Sequence, residues 1–142
     1  MTGMLKARLG VLAGALLMSV GADAVPAAPR GDAVEGIQPG LWRLTQEGGA
    51  PREICIADRQ SLVQIRHGEM SCSRMEIASD RSAATYHYSC PGQGWGRTSL
   101  RVESPRLVRI DTQGIAGKSP FAFTAEARRT GDCASEDKRA SR

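Results

Sequence analysis

Residues 98–112 read Thr98-Ser-Leu-Arg-Val-Glu-Ser-Pro-Arg-Leu-Val-Arg-Ile-Asp-Thr112, two alternating runs on either side of a turn. Apolar and polar residues alternate in both runs, which is typical of β-strands with one buried face. A three-residue loop of Ser104 to Arg106 places Leu100 opposite Ile110. A two-residue loop would place Leu100 opposite Arg109, and a slip of one residue turns every apolar side chain to the other face. The stretch therefore predicts an antiparallel hairpin with a three-residue loop.

A second hairpin is predicted just upstream, in residues 71–90, with its turn at residues 79–82. Its register places Cys72 directly opposite Cys90. Opposed residues of antiparallel strands have Cα atoms ~4.5–5.5 Å apart, which is within the range of a disulfide. The geometry therefore favours a disulfide between Cys72 and Cys90.

The chain has four cysteines, Cys55, Cys72, Cys90 and Cys133. If Cys72 pairs with Cys90, then Cys55 pairs with Cys133 and closes almost the whole domain. The other two connectivities remain possible at this stage. On the chain-entropy model the short loop would contribute roughly 3 kcal/mol and the long loop roughly 4 to 5 kcal/mol.

Further short strands are predicted at residues 41–45, 53–56 and 121–128, where apolar residues recur with period two. A single short helix is predicted between Asp58, a residue type that caps helix N-termini, and Gly68, which would end it. We therefore expect a mainly β protein. Its architecture would be a single antiparallel β-sheet, sandwich or partly open barrel with one short helix, stapled by disulfides.

The first 24 residues have the pattern of a secretory signal peptide. Lys6 and Arg8 precede an apolar run from Leu9 to Val20, and Ala22-Asp23-Ala24 offers a cleavage site of small residues. The run is shorter than the ~20 residues of a membrane-spanning helix, so no membrane span is expected after signal removal. We expect a periplasmic or secreted protein, where cysteines are oxidised.

The mature chain divides into three parts. Residues 25–38 are rich in Pro, Gly and Ala and predict a flexible lead-in. Residues 39–133 form the predicted antiparallel β-domain. Residues 134–142 are polar and charged, which predicts a disordered tail.

The charge of the mature chain is mild. Removing Lys6, Arg8 and Asp23 from 19 basic and 15 acidic residues leaves 17 and 14, a net charge of +3. No stacking platform is evident and the predicted compartment holds no chromosome. We therefore expect no nucleic-acid partner.

The loop of residues 91–97 is the first candidate binding surface. Its glycines hold Trp95 beside Arg97, a combination that can stack on a sugar or an aromatic group. The favoured alternative is an indole that closes the open end of a small β-domain.

The predicted outer face of the 98–112 hairpin is the second candidate. Arg97, Arg101 and Arg109 share that face and could bind an anion such as a phosphate or a lipid headgroup. Glu103 and Asp111 lie on the same face, so a solvated strand surface with cross-strand neutralisation is the favoured alternative.

Catalytic and metal sites have little support in the sequence. The chain has two histidines, of which His67 follows the predicted helix and His87 lies on a strand face. Cys72, His87 and Cys90 with Cys55 match zinc ligands in type, but not in the close pairs of structural zinc sites. No nucleophile elbow or paired carboxylates are present. We expect no enzyme activity, no metal and no cofactor.

Several motifs together resemble a known family. They are Pro39-Gly40-Leu41-Trp42, a strand ending at Cys55, then Cys72, Tyr88-Ser89-Cys90, and Arg129-Thr130-Gly131-Asp132-Cys133. Their order after a signal peptide resembles the domain of unknown function 3617 family, small exported proteins of proteobacteria. The resemblance implies an envelope location and a cysteine-stapled β-rich domain, with no catalytic residues to carry over.

These observations predict an exported envelope protein that acts as a non-enzymatic binding or accessory module. Its partner would be a small ligand or another envelope protein. The alternative is a small periplasmic hydrolase or a metal-binding protein.

Overall fold

The computed structural model describes residues 32–134. The strands are β1 (Gly40–Gln46), β2 (Arg52–Ile56), β3 (Ser73–Ser79), β4 (Ala83–Cys90), β5 (Gly94–Ser104), β6 (Leu107–Ala116) and β7 (Ser119–Gly131). Two short 3₁₀ helices, Ala33–Gly36 and Arg59–Leu62, precede β1 and follow β2. No helix in this part of the chain is long and apolar enough to cross a membrane.

All seven strands form one antiparallel sheet in the order β2-β1-β7-β6-β5-β4-β3. The sheet does not close, so β2 and β3 are its edges. This confirms a mainly β fold with a single antiparallel sheet. The sandwich and barrel alternatives do not form within residues 32–134, because 3₁₀ segments rather than a second sheet cover the apolar face.

The central hairpin has the predicted register, with Leu100 opposite Ile110. The strands extend further than predicted, because Ser104 pairs with Leu107. The register shifts at Glu103, which forms a β-bulge that takes up the odd residue of the predicted three-residue loop. The apolar pattern therefore determined the register, and the bulge shortened the loop.

Both disulfides form in the favoured connectivity. The Cα atoms of Cys72 and Cys90 lie 4.2 Å apart at the open end of the β3–β4 hairpin. Cys55 of β2 joins Cys133, which follows β7, with Cα atoms 5.5 Å apart. Because β1 lies between β2 and β7, this second bridge crosses the end of β1 and fixes one edge of the sheet.

The core lies on one face of the sheet, here called the inner face. Its fully buried large side chains include Trp42, Leu44, Ile56, Leu62, Tyr88, Leu100 and Ile110. The two 3₁₀ segments cover these side chains with apolar residues of their own. The opposite, outer face of the sheet is solvated along its strands.

The domain begins earlier than predicted. Ala33, Val34 and Ile37 are buried in the core, and Asp32 caps the first 3₁₀ helix by accepting a hydrogen bond of 3.0 Å from the Val34 amide. The prediction of a flexible lead-in was therefore wrong for residues 32–38, because these apolar side chains close the inner face. The predicted signal peptide, residues 25–31 and residues 135–142 of the predicted tail lie outside the described residues.

The predicted helix is a single 3₁₀ turn followed by further turns. Asp58 does cap it, by accepting a hydrogen bond of 3.0 Å from the Gln60 amide. The Gln64 side-chain amide then donates to the carbonyl oxygens of Gly68 and Met70, each at 2.7 Å. These bonds hold the segment in successive turns, so that Leu62 and its apolar neighbours face the sheet.

Candidate functional site

Trp95 lies on the outer face, and its side chain is 43% exposed. The favoured expectation that its indole closes the core was therefore wrong. The inner face at this end of the sheet is occupied by Tyr88, which packs against Gly96 so closely that a Cβ atom there would lie 2.5 Å from ring atoms of Tyr88. Because side chains alternate along β5, the inward Gly96 places Trp95 and Arg97 outward.

The indole of Trp95 stacks against the imidazole of His87 on the neighbouring strand. The ring centroids are 5.7 Å apart and the ring planes differ by 29°. His87 lies between Arg97 of β5 and Met75 of β3 in the sheet register. These four residues of three adjacent strands, Met75, His87, Trp95 and Arg97, form one surface that we call the aromatic–arginine patch.

Arg97 provides the charge of this patch. Its side chain is exposed and forms no ion pair with any residue between 32 and 134. Its cross-strand neighbours are His87 and Gln113, neither of which is an acid. A guanidinium beside a stacked ring pair suits a planar or ring-shaped ligand that carries a negative charge.

Arg101 and Arg109 lie elsewhere on the outer face. They oppose each other across β5 and β6, and four residues along β5 separate Arg101 from Arg97 by about 13 Å. Arg109 donates to Glu103 at 2.6 Å and lies 3.9 Å from Glu126. The hydrogen bond to Glu103 raises the pKa of the Arg109 guanidinium. The structure thus separates the four candidate binding residues into two pairs, Trp95 with Arg97 and Arg101 with Arg109.

A groove of about 640 Å³ runs beside this second pair. Arg101 and Arg109 line it together with Glu47, Asp111 and Glu126. Three carboxylates face two guanidinium groups, so the groove has no excess positive charge. This arrangement supports the solvated, neutralised strand face rather than an anion site at Arg101 and Arg109.

His67 is buried against the inner face, where sequence reasoning had placed a helix-end residue. Its Nδ1 atom lies 3.0 Å from the Tyr88 hydroxyl and its Nε2 atom 3.1 Å from the Gln93 carbonyl oxygen. Because a carbonyl only accepts, Nε2 carries the proton and Nδ1 accepts from Tyr88. Both ring nitrogens are engaged, so this histidine has a structural hydrogen-bonding role. In the sequence, only apolar neighbours such as Ile65 indicated that this histidine could be buried.

A second cavity, of about 330 Å³, opens beside this histidine. Arg52 and Arg66 line it with Gln46 and Phe123, and none of the acidic residues between 32 and 134 lines it. The Arg66 guanidinium carbon lies 5.9 Å from the centroid of the Phe121 ring. The cavity joins segments far apart in the sequence, so no local pattern predicted it.

The candidate zinc ligands are not available as a set. Cys72 and Cys55 are each bonded to another sulfur, so no thiolate is present to bind a metal. His87 stacks on Trp95 on the outer face instead. The zinc-site alternative at these residues was therefore wrong. Residues 32–134 contain no group of three or more His, Cys, Asp or Glu side chains placed to hold a metal.

One comparison with known proteins identifies a family for this chain. The family model described as "Protein of unknown function (DUF3617)" matches residues 37–133. No curated protein and no solved structure matches the chain. The matched range covers β1 to β7 and both disulfides. The chain therefore belongs to the DUF3617 family of proteins of unknown function.

Proposed function

We propose that this protein is an exported, non-enzymatic binding module of the cell envelope. Its binding surface is the aromatic–arginine patch, and its ligand is a ring-bearing molecule with a negative charge, such as an acidic sugar. The observation that carries the proposal is the indole of Trp95, which is 43% exposed although the other tryptophan of the chain, Trp42, is fully buried.

The patch has the features of a stacking site. The imidazole of His87 stacks beside the indole, with ring centroids 5.7 Å apart, and such a contact reduces the side-chain entropy that Trp95 loses when a ligand binds. Arg97 lies in the adjacent cross-strand position with its charge uncompensated by the described residues. The aromatic rings provide contact area for a ligand ring, and the guanidinium favours ligands with a negative charge.

The predicted compartment agrees with this role. Two disulfides link all four cysteines of the chain, and disulfides persist in oxidising compartments. The amino-terminal pattern of basic residues, apolar run and small residues adds an export signal.

Binding is better supported than hydrolysis. Both nitrogens of His67 have hydrogen-bond partners in the core, and the ring of His87 stacks on Trp95. Neither histidine hydrogen-bonds to a serine or threonine hydroxyl among the described residues. Nucleophilic catalysis needs a base in contact with its nucleophile.

Fluorescence titration with oligogalacturonides tests the proposal. We expect the acidic oligomers to change the emission of exposed Trp95, while buried Trp42 serves as an internal reference. Replacing Trp95 by Ala should abolish the change, and Arg97→Gln should weaken binding by about tenfold.

Arg101→Gln is the matched control, because Arg101 lies on the same strand and face as Arg97. It should leave binding unchanged. Neutral galacto-oligosaccharides of the same length should bind more weakly than the acidic ones. Equal losses in the two arginine variants, or equal binding of the neutral oligomers, would contradict a specific site at the patch.

A further inference from the structure

The edge strand β3 carries an unused pairing surface. It is the last strand of the sheet formed by residues 40–131, and only β4 pairs with it. Two of its apolar residues are exposed, Met75 at 58% and Ile77 at 47%. An exposed edge with apolar side chains offers a row of backbone hydrogen-bonding groups to another strand.

The charges of β3 are complementary to the same strand in a second copy. Arg74 and Glu76 are two residues apart, so they lie on the same face of the strand. When two copies pair antiparallel about a two-fold axis, the axis passes between a residue and its symmetry mate. An axis at Met75 places each Arg74 opposite Glu76 of the other copy.

Two other positions of the axis are unfavourable. An axis at Arg74 or at Glu76 would place that residue opposite itself, and like charges directly opposite each other destabilise a strand pair. The other edge strand, β2, has no such register, since Arg52 and Glu53 are adjacent and lie on opposite faces. Self-complementarity is therefore a property of β3 alone among the two edges.

The side chains involved are held at the edge. Arg74 donates to the Gln64 side-chain oxygen at 2.7 Å, and Glu76 accepts from the Tyr86 hydroxyl at 3.3 Å. Neither forms an ion pair with another residue of the described part of the chain. Each retains free donors or acceptors for an opposite charge.

From these observations we infer that the protein forms a two-fold symmetric homodimer by antiparallel pairing of β3 with β3 of a second copy, centred on Met75. Each Met75 then covers the other, and the two sheets become one continuous sheet. The register with β4 shifts between Glu76 and Ala78, a β-bulge that ends the regular edge. The pairing is therefore short, and the dimer is concentration-dependent.

Charge reversal tests the register. Glu76→Arg creates two like-charge pairs in place of two opposite-charge pairs, so the dimer dissociation constant measured by sedimentation should rise about tenfold or more. Arg74→Glu should do the same. A mixture of the two variants pairs two positive residues with two negative residues, and we expect it to form a heterodimer as stable as the wild-type dimer.

The mixture also serves as a control for folding, because a misfolded variant could not be rescued by its partner. Cysteine cross-linking gives an independent measurement. Met75→Cys should form an intermolecular disulfide on oxidation, since opposed Cα atoms lie ~4.5–5.5 Å apart. Met70→Cys is the matched control, because Met70 is 44% exposed but lies outside β3.

A wild-type protein that stays monomeric over the whole accessible concentration range would overturn the inference. So would charge variants that fail to associate when mixed, or equal cross-linking at positions 70 and 75. Met75 belongs to both the patch and the dimer interface, but Trp95 and Arg97 lie on β5, two strands from the β3 edge, and Glu76→Arg leaves all three residues in place. Loss of dimerisation with retained glycan binding therefore separates the two proposals.

Discussion

The Nδ1 atom of His67 lies 3.0 Å from the hydroxyl oxygen of Tyr88, inside the core. The other ring nitrogen bonds the Gln93 carbonyl oxygen in the turn between β4 and β5. One imidazole therefore joins three parts of the chain: the segment that follows the second 3₁₀ helix, strand β4 and the β4–β5 turn. In the next row of the inner face, which contains Tyr86, Thr98 and Thr112 pair their hydroxyl groups at 2.7 Å.

Replacing His67 by Phe should destabilise the fold by about 1–3 kcal/mol, because the buried Tyr88 hydroxyl loses its acceptor and the Gln93 carbonyl retains only the hydrogen bond from the Gly117 amide. Urea unfolding measures the effect. His87→Phe is the matched control, since His87 lies on the half-exposed outer face, and it should change the free energy of unfolding by less than about 1 kcal/mol. Equal effects at the two positions would contradict a structural role for His67.

Both tyrosines of the chain, Tyr86 and Tyr88, are buried, so they should ionise at higher pH in the folded protein than in the unfolded chain. Burial, followed by the nearby acids Asp32 and Glu76, raises the pKa of Tyr86 to about 12. Burial also raises the pKa of Tyr88. In a pH titration of the folded protein, the phenolate absorbance should therefore increase only at pH values well above ~10, the midpoint for an exposed tyrosine.

The same shifts predict how stability depends on pH. A raised pKa means that the folded state retains a proton that the unfolded state loses from pH ~10 upwards. The contribution of Tyr86 to the free energy of unfolding is complete below pH ~10. It is lost as the pH rises to about 12. Tyr86→Phe should therefore weaken the dependence of the free energy of unfolding on pH in this range. A folded-state titration with a midpoint near 10 for both tyrosines would contradict the burial argument.

The two disulfides should contribute unequally. Cys55 and Cys133 are 78 residues apart, whereas Cys72 and Cys90 are 18 apart. On the chain-entropy model, paired Ser substitutions should cost about 4.5 kcal/mol for the first bridge and about 3 kcal/mol for the second. Thermal unfolding of the two double variants measures the difference. A larger loss for the short bridge would show that the β3 edge depends on it beyond chain entropy.

The two tryptophans should differ in their effect on stability. Trp42 is fully buried and its indole donates to the Gln38 carbonyl oxygen at 3.1 Å, so Trp42→Ala should cost about 3–5 kcal/mol. Trp95→Ala should cost less than about 1 kcal/mol, because the indole is exposed on the outer face. Chemical unfolding of both variants provides the comparison. A large loss of unfolding free energy in Trp95→Ala would mean that the indole stabilises the fold and is not held free for a ligand.

Local features of the sequence predicted the hairpins and one disulfide. The alternation around Leu100 and Ile110 favours the observed register, because a slip of one residue would expose the apolar side chains. The same reasoning placed Cys72 opposite Cys90. Asp58 caps its 3₁₀ turn as its side chain predicted. These features depend on residues close together in the sequence, where the turn and the side-chain period determine the geometry.

The exposure of Trp95 could not be predicted in this way. Its flanking glycines are compatible with a loop as well as with a strand. The outcome depended on Tyr88, whose ring occupies the inner surface over Gly96 and leaves the indole on the outside. The buried position of Val34 likewise depended on an apolar face of the sheet that only the assembled strands create.

The sequence by itself determined the strands, their hairpin registers, the favoured cysteine pairing and the family, because each rests on local alternation or on motifs. The tertiary structure decided which strands became the open edges, that His67 is buried, and that Trp95 with Arg97 lies apart from Arg101 with Arg109. These outcomes depend on competition among distant residues for one apolar face. Such competition has no local signature, since it is resolved only when all seven strands pack together.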